Sequence, residues 1–143
     1  MKRHLNILTT SLILLFASTT GTHAQSAGTQ KVLATIPFAF NVGAKNLPAG
    51  RYTITVLNPT SDQKVLQLRS RDGRATAITL TTGVTGNATG GGTVVFRRYG
   101  NEYFFAQAQM ADSTGLAAVK SKAERSHAVA RAGDRTIVVI AAE

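Results

Sequence analysis

The sequence predicts an all-β fold, an antiparallel β-sandwich or flattened barrel of about seven or eight strands with one short helix near the C-terminus. Short stretches rich in β-branched and aromatic residues alternate apolar with polar positions, which is typical of half-buried strands. Turn signals containing Gly, Asn, Asp or Pro separate these stretches. A helix start followed by Ala-rich spacing is found near residue 121.

The first 24 residues are predicted to be a secretory signal peptide. Lys2 and Arg3 form a positive n-region, residues 5–17 form an apolar core, and residues 22–24 form a small-residue cleavage site. The alternative is an uncleaved membrane anchor, but the apolar run at residues 12–17 is too short to span a hydrocarbon layer of about 30 Å. We therefore expect an exported protein, periplasmic or extracellular, with no transmembrane segment in the mature chain.

The chain after the signal suits one domain. Cleavage after residue 24 of the 143 leaves 119 residues, enough for a single core without disulfides or a structural metal. Residues 25–30, QSAGTQ, are small and polar and are predicted to be a disordered lead-in, followed by a single β domain at residues 31–143. The chain has no cysteine, so a disulfide or a lipid-modified cysteine is not possible.

Positive charge dominates the mature chain. Without Lys2 and Arg3, 14 of the 16 basic residues remain against seven acidic ones, a net charge near +7. Such a surface attracts polyanions: nucleic acid, acidic polysaccharide or a phosphate-bearing envelope surface. Export makes nucleic acid the least suitable of these partners, and solubility alone is the alternative explanation of the charge.

The first predicted strand covers residues 31–40. Apolar residues recur at every second position, which places five of them on one face: Val32, Ala34, Ile36, Phe38 and Phe40. Pro37 has no N–H for a ladder, which predicts an edge strand or a bulge. The next strand, RYTITVL, follows a turn at residues 47–50 in which Pro48 fixes φ. Lys45 and Asn46 are expected to be solvated loop residues rather than ligand contacts.

A hairpin is predicted in KVLQLRSRDGRATAITL, residues 64–80. A two-residue loop at Asp72 and Gly73 would pair Leu66 with Thr79 and put the apolar residues of the two strands on opposite faces. A three-residue loop at residues 71–73 pairs Leu66 with Ile78 and puts Gly73 at the left-handed position of such loops. The three-residue loop is the one predicted.

Residues 81–92, TTGVTGNATGGG, are predicted to be a flexible loop, because they contain five glycines and one large side chain, Val84. A phosphate-binding loop would need glycines at defined spacing before a helix, and that pattern is absent. Residues 87–89, NAT, match the short N-glycosylation acceptor motif.

The stretch TVVFRRYGNEYFFAQAQM, residues 93–110, predicts a second hairpin with a two-residue turn at Gly100 and Asn101. This register pairs Tyr99 with Glu102, Arg98 with Tyr103, Arg97 with Phe104, and Phe96 with Phe105. One face then carries Val95, Phe104, Ala106, Ala108 and Met110, and the other carries Val94, Phe96, Arg98, Tyr103 and Phe105. Both faces are apolar, so either the hairpin is buried on both sides or one aromatic and basic face is a contact surface.

The last two elements follow a predicted loop at residues 112–115. Ser121 and Glu124 have the spacing of a capping box, and Gly133 supplies a stop, which predicts a helix near residues 122–132. The apolar run RTIVVIAA predicts a final strand buried on both faces.

The residues that catalysis requires are scarce. His127 is the only histidine left after the signal, so a Ser-His-Asp or Cys-His site would depend on this one residue, which is expected to face solvent from the helix. Zinc or haem ligation by His and Cys is excluded by their number unless carboxylates complete the site. Most carboxylates fall in predicted turns or caps, where backbone hydrogen bonding explains them. The sequence therefore favours a protein that is not an enzyme and has no metal or cofactor.

The candidate binding residues are Arg97, Arg98, Tyr99 and Tyr103. The turn at Gly100 gathers them at one end of a hairpin, and tyrosines beside arginines can form a stacking and cation–π surface. Lys and Arg from the hairpin at residues 69–74 could add charge. Ordinary packing of a β-hairpin is the alternative interpretation of the same residues.

The motifs PFAFNVGAKNLPAGRYTI and FRRYGNEYFF, followed by SKAER, are similar to those of a group of small secreted β-rich soil-bacterial proteins. That group carries PFxFxVGxxxLPAGxYxI and FxRYGxxYF stretches in the same order. The resemblance covers most of the mature chain and implies a small β-barrel or sandwich. The resemblance implies no particular activity and no particular site residues.

The expected function is a non-enzymatic binding protein of the cell envelope or the extracellular space, with an acidic polysaccharide or an envelope surface as its partner. A second hypothesis is a structural or assembly protein that pairs its first strand, residues 32–40, with another chain. A secreted hydrolase that uses carboxylates such as Glu102 is the third. The oligomeric state is left open by the sequence.

Overall fold

The computed structural model describes residues 30–85, 91–112 and 114–143. The described residues are mostly β: 57% of them lie in strands, which form one open sheet of ten strands, and these residues include one short helix. The predicted all-β sandwich or flattened barrel with a C-terminal helix is confirmed. There are more strands than expected, because two strands are only three residues long and a third occupies the region predicted to connect the second hairpin to the helix.

The elements follow one another along the chain as β1 (Lys31–Ile36), β2 (Phe40–Val42), β3 (Lys45–Leu47), β4 (Gly50–Val56), β5 (Val65–Ser70), β6 (Thr76–Thr85), β7 (Thr93–Tyr99), β8 (Glu102–Gln109), β9 (Thr114–Ala118), α1 (Lys122–Ala130) and β10 (Arg135–Ala141).

The strand order is β1-β4-β5-β6-β9-β8-β2-β3, and β7 pairs with both β8 and β10. Neighbouring strands are antiparallel except β2 and β8, which pair in parallel. β6 belongs to both halves of the sheet, because its first residues pair with β5 and its last residues pair with β9. The edges β1 and β10 approach each other at one point, where Glu143 N–H donates to the Leu33 carbonyl at 2.8 Å.

The core lies inside the curved sheet and is filled by alternate residues of the strands. The ring of Phe40 contacts Tyr52 and Phe96 edge to face, with centroids 5.2 Å apart in both pairs. Edge-to-face pairs add to the free energy of burial that aromatic side chains supply. Tyr52 is buried as expected, and its hydroxyl donates to the Pro48 carbonyl at 2.6 Å.

The predicted first strand is divided at Pro37. β1 ends at Ile36 and is an edge strand, which confirms the first of the two predicted alternatives, an edge strand or a bulge. Phe40 begins β2, which lies in another part of the sheet. A proline lacks the N–H that would continue the ladder, and the chain leaves β4 there. The alternate apolar residues still point inward on both strands.

The register predicted for the hairpin between β5 and β6 is wrong. Leu66 pairs with Thr79, and Leu68 pairs with Ala77, so Ile78 points outward and is 57% exposed. The small side chains of Thr79 and Ala77 lie opposite the two leucines and are buried. The turn holds four residues, 71–74, and Ser70 N–H donates to the Ala75 carbonyl at 2.8 Å. Gly73 has φ 73°, the left-handed conformation that was expected.

The hairpin between β7 and β8 has the predicted turn and register from Phe96 to Phe105. The ladder shifts by one residue between Val95 and Phe96, and this bulge was not predicted. It moves Ala108 and Met110 to the core face, so their predicted assignment to the face of Phe104 is wrong. The hairpin is buried on both sides, in the core and beneath α1.

Three further predictions are wrong. β10 is not buried on both faces, because it is an edge strand whose outer residues are exposed. Residues 114–118 form β9, which overlaps the loop predicted at residues 112–115, and residues 81–85 belong to β6 rather than to the loop predicted at residues 81–92. Gly115 permits this pairing, since a Cβ there would lie 2.7 Å from the Val84 carbonyl oxygen.

The predicted signal peptide, most of the lead-in and the NAT motif at residues 87–89 lie outside the described residues. Gln30, the last residue of the predicted lead-in, is described, and its amide donates to the Asp112 carboxylate at 2.6 Å. No helix in the described part of the chain is long and apolar enough to cross a membrane.

Candidate functional site

The four predicted binding residues lie on two different faces of the β7–β8 hairpin. Arg97 and Tyr99 point to the outer face, which α1 covers, and Tyr99 is only 1% exposed. Arg98 and Tyr103 point to the opposite face. Residues two apart on a strand share a face and adjacent ones do not, so the run Arg97-Arg98-Tyr99 cannot form one surface.

The outer pair is held by α1 through Glu124, a side chain that is 2% exposed. Arg97 binds the Glu124 carboxylate through Nε and through Nη2, the latter at 3.1 Å. The Tyr99 hydroxyl donates to the same carboxylate at 3.4 Å. Burial, with the negative charge of Glu124 beside it, raises the pKa of Tyr99. These contacts attach the helix to the sheet.

The sequence predicted only part of this helix contact. The Ser121 hydroxyl accepts from Glu124 N–H at 3.1 Å, which confirms the N-cap. The Glu124 carboxylate does not complete the predicted capping box, because Arg97 binds it. The His127 ring lies over Phe104 with centroids 5.4 Å apart, so His127 faces the sheet rather than solvent.

The inner pair forms a small aromatic and cationic cluster. The Arg98 guanidinium carbon lies 5.7 Å from the centroid of the Tyr103 ring, a cation–π distance. Tyr103 stacks on Phe38 with centroids 3.9 Å apart. Both rings pack against the edge of the core, and Arg98 also donates to the Gly100 carbonyl. The predicted contact of Arg98 with Tyr103 is confirmed, and its role in binding stays a prediction.

A basic cleft of about 580 Å³ lies between the turn after β3 and the turn between β5 and β6. Four cationic side chains line it: Lys45, Arg51, Arg71 and Arg74. All four are exposed, and none of them makes an ion pair within the part of the chain that the structure describes. Asp72 is the only carboxylate in the lining. The cleft therefore carries a net positive charge.

The β5–β6 turn is held rigid by hydrogen bonds around Asp72. Its carboxylate accepts from the Ser70 hydroxyl at 2.5 Å and from Arg74 N–H at 3.1 Å. These two bonds lower the pKa of the Asp72 carboxyl. Arg71 N–H donates to the Arg51 carbonyl at 2.9 Å, which fixes the turn against β4. The backbone beneath Arg71 and Arg74 is thereby positioned before any ligand arrives.

The opposite wall is the segment that joins β3 to β4. Pro48 has a fixed φ, and its carbonyl accepts a hydrogen bond from the hydroxyl of the buried Tyr52 at 2.6 Å. This bond attaches the wall to the core. Leu47, Pro48 and Ala49 give the wall an apolar surface, and Asn46 adds a polar amide. Burial raises the pKa of Tyr52, which stays neutral in the cleft.

The arrangement suits recognition of an anion. Guanidinium groups bind carboxylates and phosphates through two parallel hydrogen bonds. The lining holds no cysteine or histidine, and the described residues contain no group of three or more His, Cys, Asp or Glu side chains placed to hold a metal. A cleft of this size lies within the range of about 300 to 1,000 Å³ that small ligands occupy.

Sequence reasoning did not single out this cleft. Lys45 and Asn46 were expected to be solvated loop residues, and Arg71 and Arg74 were mentioned only as a source of charge. The one available signal was the density of arginines at residues 69–74, three in six positions. No protein-family model, no curated protein and no solved structure matches the chain. The resemblance to small secreted soil-bacterial proteins stays a prediction.

Proposed function

We propose that the protein is a non-enzymatic binding protein of the cell envelope or the extracellular space, and that it holds an acidic glycan in the basic cleft. The observation that supports this most is the set of four unpaired cations around one preformed cleft. Export rests on the predicted signal peptide at residues 1–24. An acidic glycan combines carboxylates for the guanidinium groups with ring faces for the apolar wall at Leu47, Pro48 and Ala49.

The test is a calorimetric titration with polygalacturonate, with neutral dextran as the reference polymer. Arg71→Ala and Arg74→Ala should each weaken binding about fivefold, because an exposed charge contributes up to about 1 kcal/mol. Affinity should fall as salt is raised, since exposed charges are screened. The matched control is Arg125→Ala, which removes an exposed arginine of α1 outside the cleft. Equal affinities for all variants, or no binding of polygalacturonate, would overturn the proposal.

The same titration tests the predicted patch on the second hairpin. If Arg98 and Tyr103 contact the glycan, Arg98→Ala weakens binding as the cleft variants do. If the glycan occupies the cleft alone, Arg98→Ala leaves the affinity unchanged, because Arg98 does not line the cleft.

A second candidate function is assembly through strand pairing, and the edges of the sheet favour it. Among the described strands, β1 pairs with β4 alone and β10 with β7 alone, and Glu143 N–H donates to the Leu33 carbonyl of β1. Edge strands with free backbone groups are templates for another strand. Light scattering on the purified protein separates the two functions: a stable oligomer that dissociates in an Ile137→Pro variant of β10 supports assembly, and a monomer contradicts it.

A further inference from the structure

The outer face of β1, β4, β5 and β6 is uncovered. α1 covers the outer face of β7 and β8, where it contacts Arg97 and Phe104. On the other half of the sheet the outward residues are exposed or half-buried, and no described segment packs over them.

A row of apolar side chains crosses this outer face from strand to strand. Leu57 N–H donates to the Val65 carbonyl, Val65 pairs with Leu80, and Val119 N–H donates to the Leu80 carbonyl. The row of Leu57, Val65, Leu80 and Val119 is about 15 Å long, since neighbouring strands lie about 4.8 Å apart. Ile78 lies beside Leu80 on β6, and the two are 57% and 52% exposed. Single exposed apolar residues are ordinary, but a continuous row is not.

Two cations outside the basic cleft, Lys31 and Arg69, lie on the same outward face as the row. The outward positions of β1, β4, β5 and β6 hold no carboxylate, although the Glu143 carboxylate accepts from the Thr35 hydroxyl at 2.7 Å, at the end of β1 that pairs with Arg51 and lies away from the row. A second copy placed face to face would bring these cations against their own equivalents, because a two-fold interface repeats the same patch on both sides. The face is therefore complementary to a partner that has a negatively charged surface and an apolar layer beneath it.

We propose that this outer face docks on an anionic phospholipid surface. The apolar row of Leu57, Val65, Leu80 and Val119, together with Ile78, enters the interfacial layer. Lys31 and Arg69, which do not line the basic cleft, meet the lipid phosphates. Basic residues near an anionic membrane each strengthen binding by about fivefold, and buried apolar side chains add to this. The proposal goes beyond glycan binding, because the row lies outside the residues that line the basic cleft.

Vesicle sedimentation tests the proposal. The full chain is expressed, and the protein is purified after any processing by the expressing cell. Wild type and variants then share the same N-terminus. Binding is compared on vesicles of phosphatidylcholine alone and of phosphatidylcholine with phosphatidylglycerol at three to one. We expect about 25-fold tighter binding to the anionic vesicles, from two cations at about fivefold each.

Variants locate the contact. Ile78→Ser and Leu80→Ser should each weaken binding to the anionic vesicles about tenfold, because each removes one large apolar side chain from the interface. The matched control is Ile137→Ser on the outer face of β10, where the side chain is 51% exposed. It should leave the affinity within about twofold. Circular dichroism confirms that each variant is folded.

Three results would overturn the proposal. They are equal binding to neutral and anionic vesicles, equal losses in Ile78→Ser and Ile137→Ser, and a dimer in solution that Ile78→Ser dissociates. The last result would assign the face to a second copy of the chain. Failure of the glycan titration does not affect this outcome, because Ile78 and Leu80 do not line the cleft.

Discussion

The contact of Glu124 with Arg97 gives the sharpest stability prediction. The variant Glu124→Ala removes both carboxylate oxygens that Arg97 binds, and it removes the acceptor of the Tyr99 hydroxyl. Alanine preserves the helix propensity of α1. The expected loss therefore comes from the contact between helix and sheet and not from the helix itself.

The magnitude follows from burial. Breaking a buried ion pair on one side costs about 3–5 kcal/mol, because the remaining charge has no partner. The Arg97 side chain keeps 14% of its exposure, so its freed charge reaches water in part. We expect the lower end of the range, about 3 kcal/mol. A domain of this size has about 5–15 kcal/mol of stability in total, so the midpoint of thermal unfolding should fall by about 10 °C or more.

The assay is equilibrium unfolding in urea, followed by circular dichroism. A double-mutant cycle with Arg97→Ala should give a coupling free energy of about 2 kcal/mol, since each single variant breaks the same contact. The matched control is Glu102→Ala, an exposed carboxylate that accepts from the Asn41 amide at 3.0 Å. It should cost less than about 1 kcal/mol. A loss below about 1 kcal/mol for Glu124→Ala, or a coupling near zero, would refute the argument that this pair holds α1 in place.

Three other predictions concern single positions. Gly100→Ala should destabilise the protein by about 1–2 kcal/mol in urea unfolding, because Gly100 has φ 62° and Arg131 packs against it; an unchanged midpoint would contradict this. Tyr52→Phe should cost about 1 kcal/mol through loss of the hydrogen bond to Pro48, and a neutral effect would show that water replaces it. The raised pKa of Tyr99 stabilises the fold fully below the pH at which an unfolded tyrosine ionises, near 10, and this contribution is lost as pH rises through the higher folded value. Tyr99→Phe should therefore reduce the loss of stability above about pH 10, and an identical alkaline profile would exclude Tyr99 as its cause.

The sequence by itself determined the features that local rules control. Alternation placed Val32, Ala34 and Ile36 in the core, because side chains on a strand have a period of two. The Gly100-Asn101 turn determined the pairing from Arg97 to Phe104, since a two-residue loop leaves one register. Ser121 caps the helix as predicted, because its hydroxyl accepts a hydrogen bond from Glu124 N–H, which has no partner within the helix.

Tertiary structure decided what depends on space and on distant neighbours. The β5–β6 register puts Thr79 in the core and Ile78 outside, against the apolar pattern, because the turn at residues 71–74 closes through Ser70 N–H on the Ala75 carbonyl and through the Asp72 carboxylate. The same register exposes Ile78 and thereby creates the outer apolar row. The basic cleft needs Lys45 beside Arg71, residues that only the folding of β3 and β4 against the β5–β6 turn brings together. The spacing of Glu124 from Ser121 predicted a capping-box contact. In the fold the Glu124 carboxylate instead binds the Arg97 guanidinium, which is 27 residues away in the chain but adjacent in space.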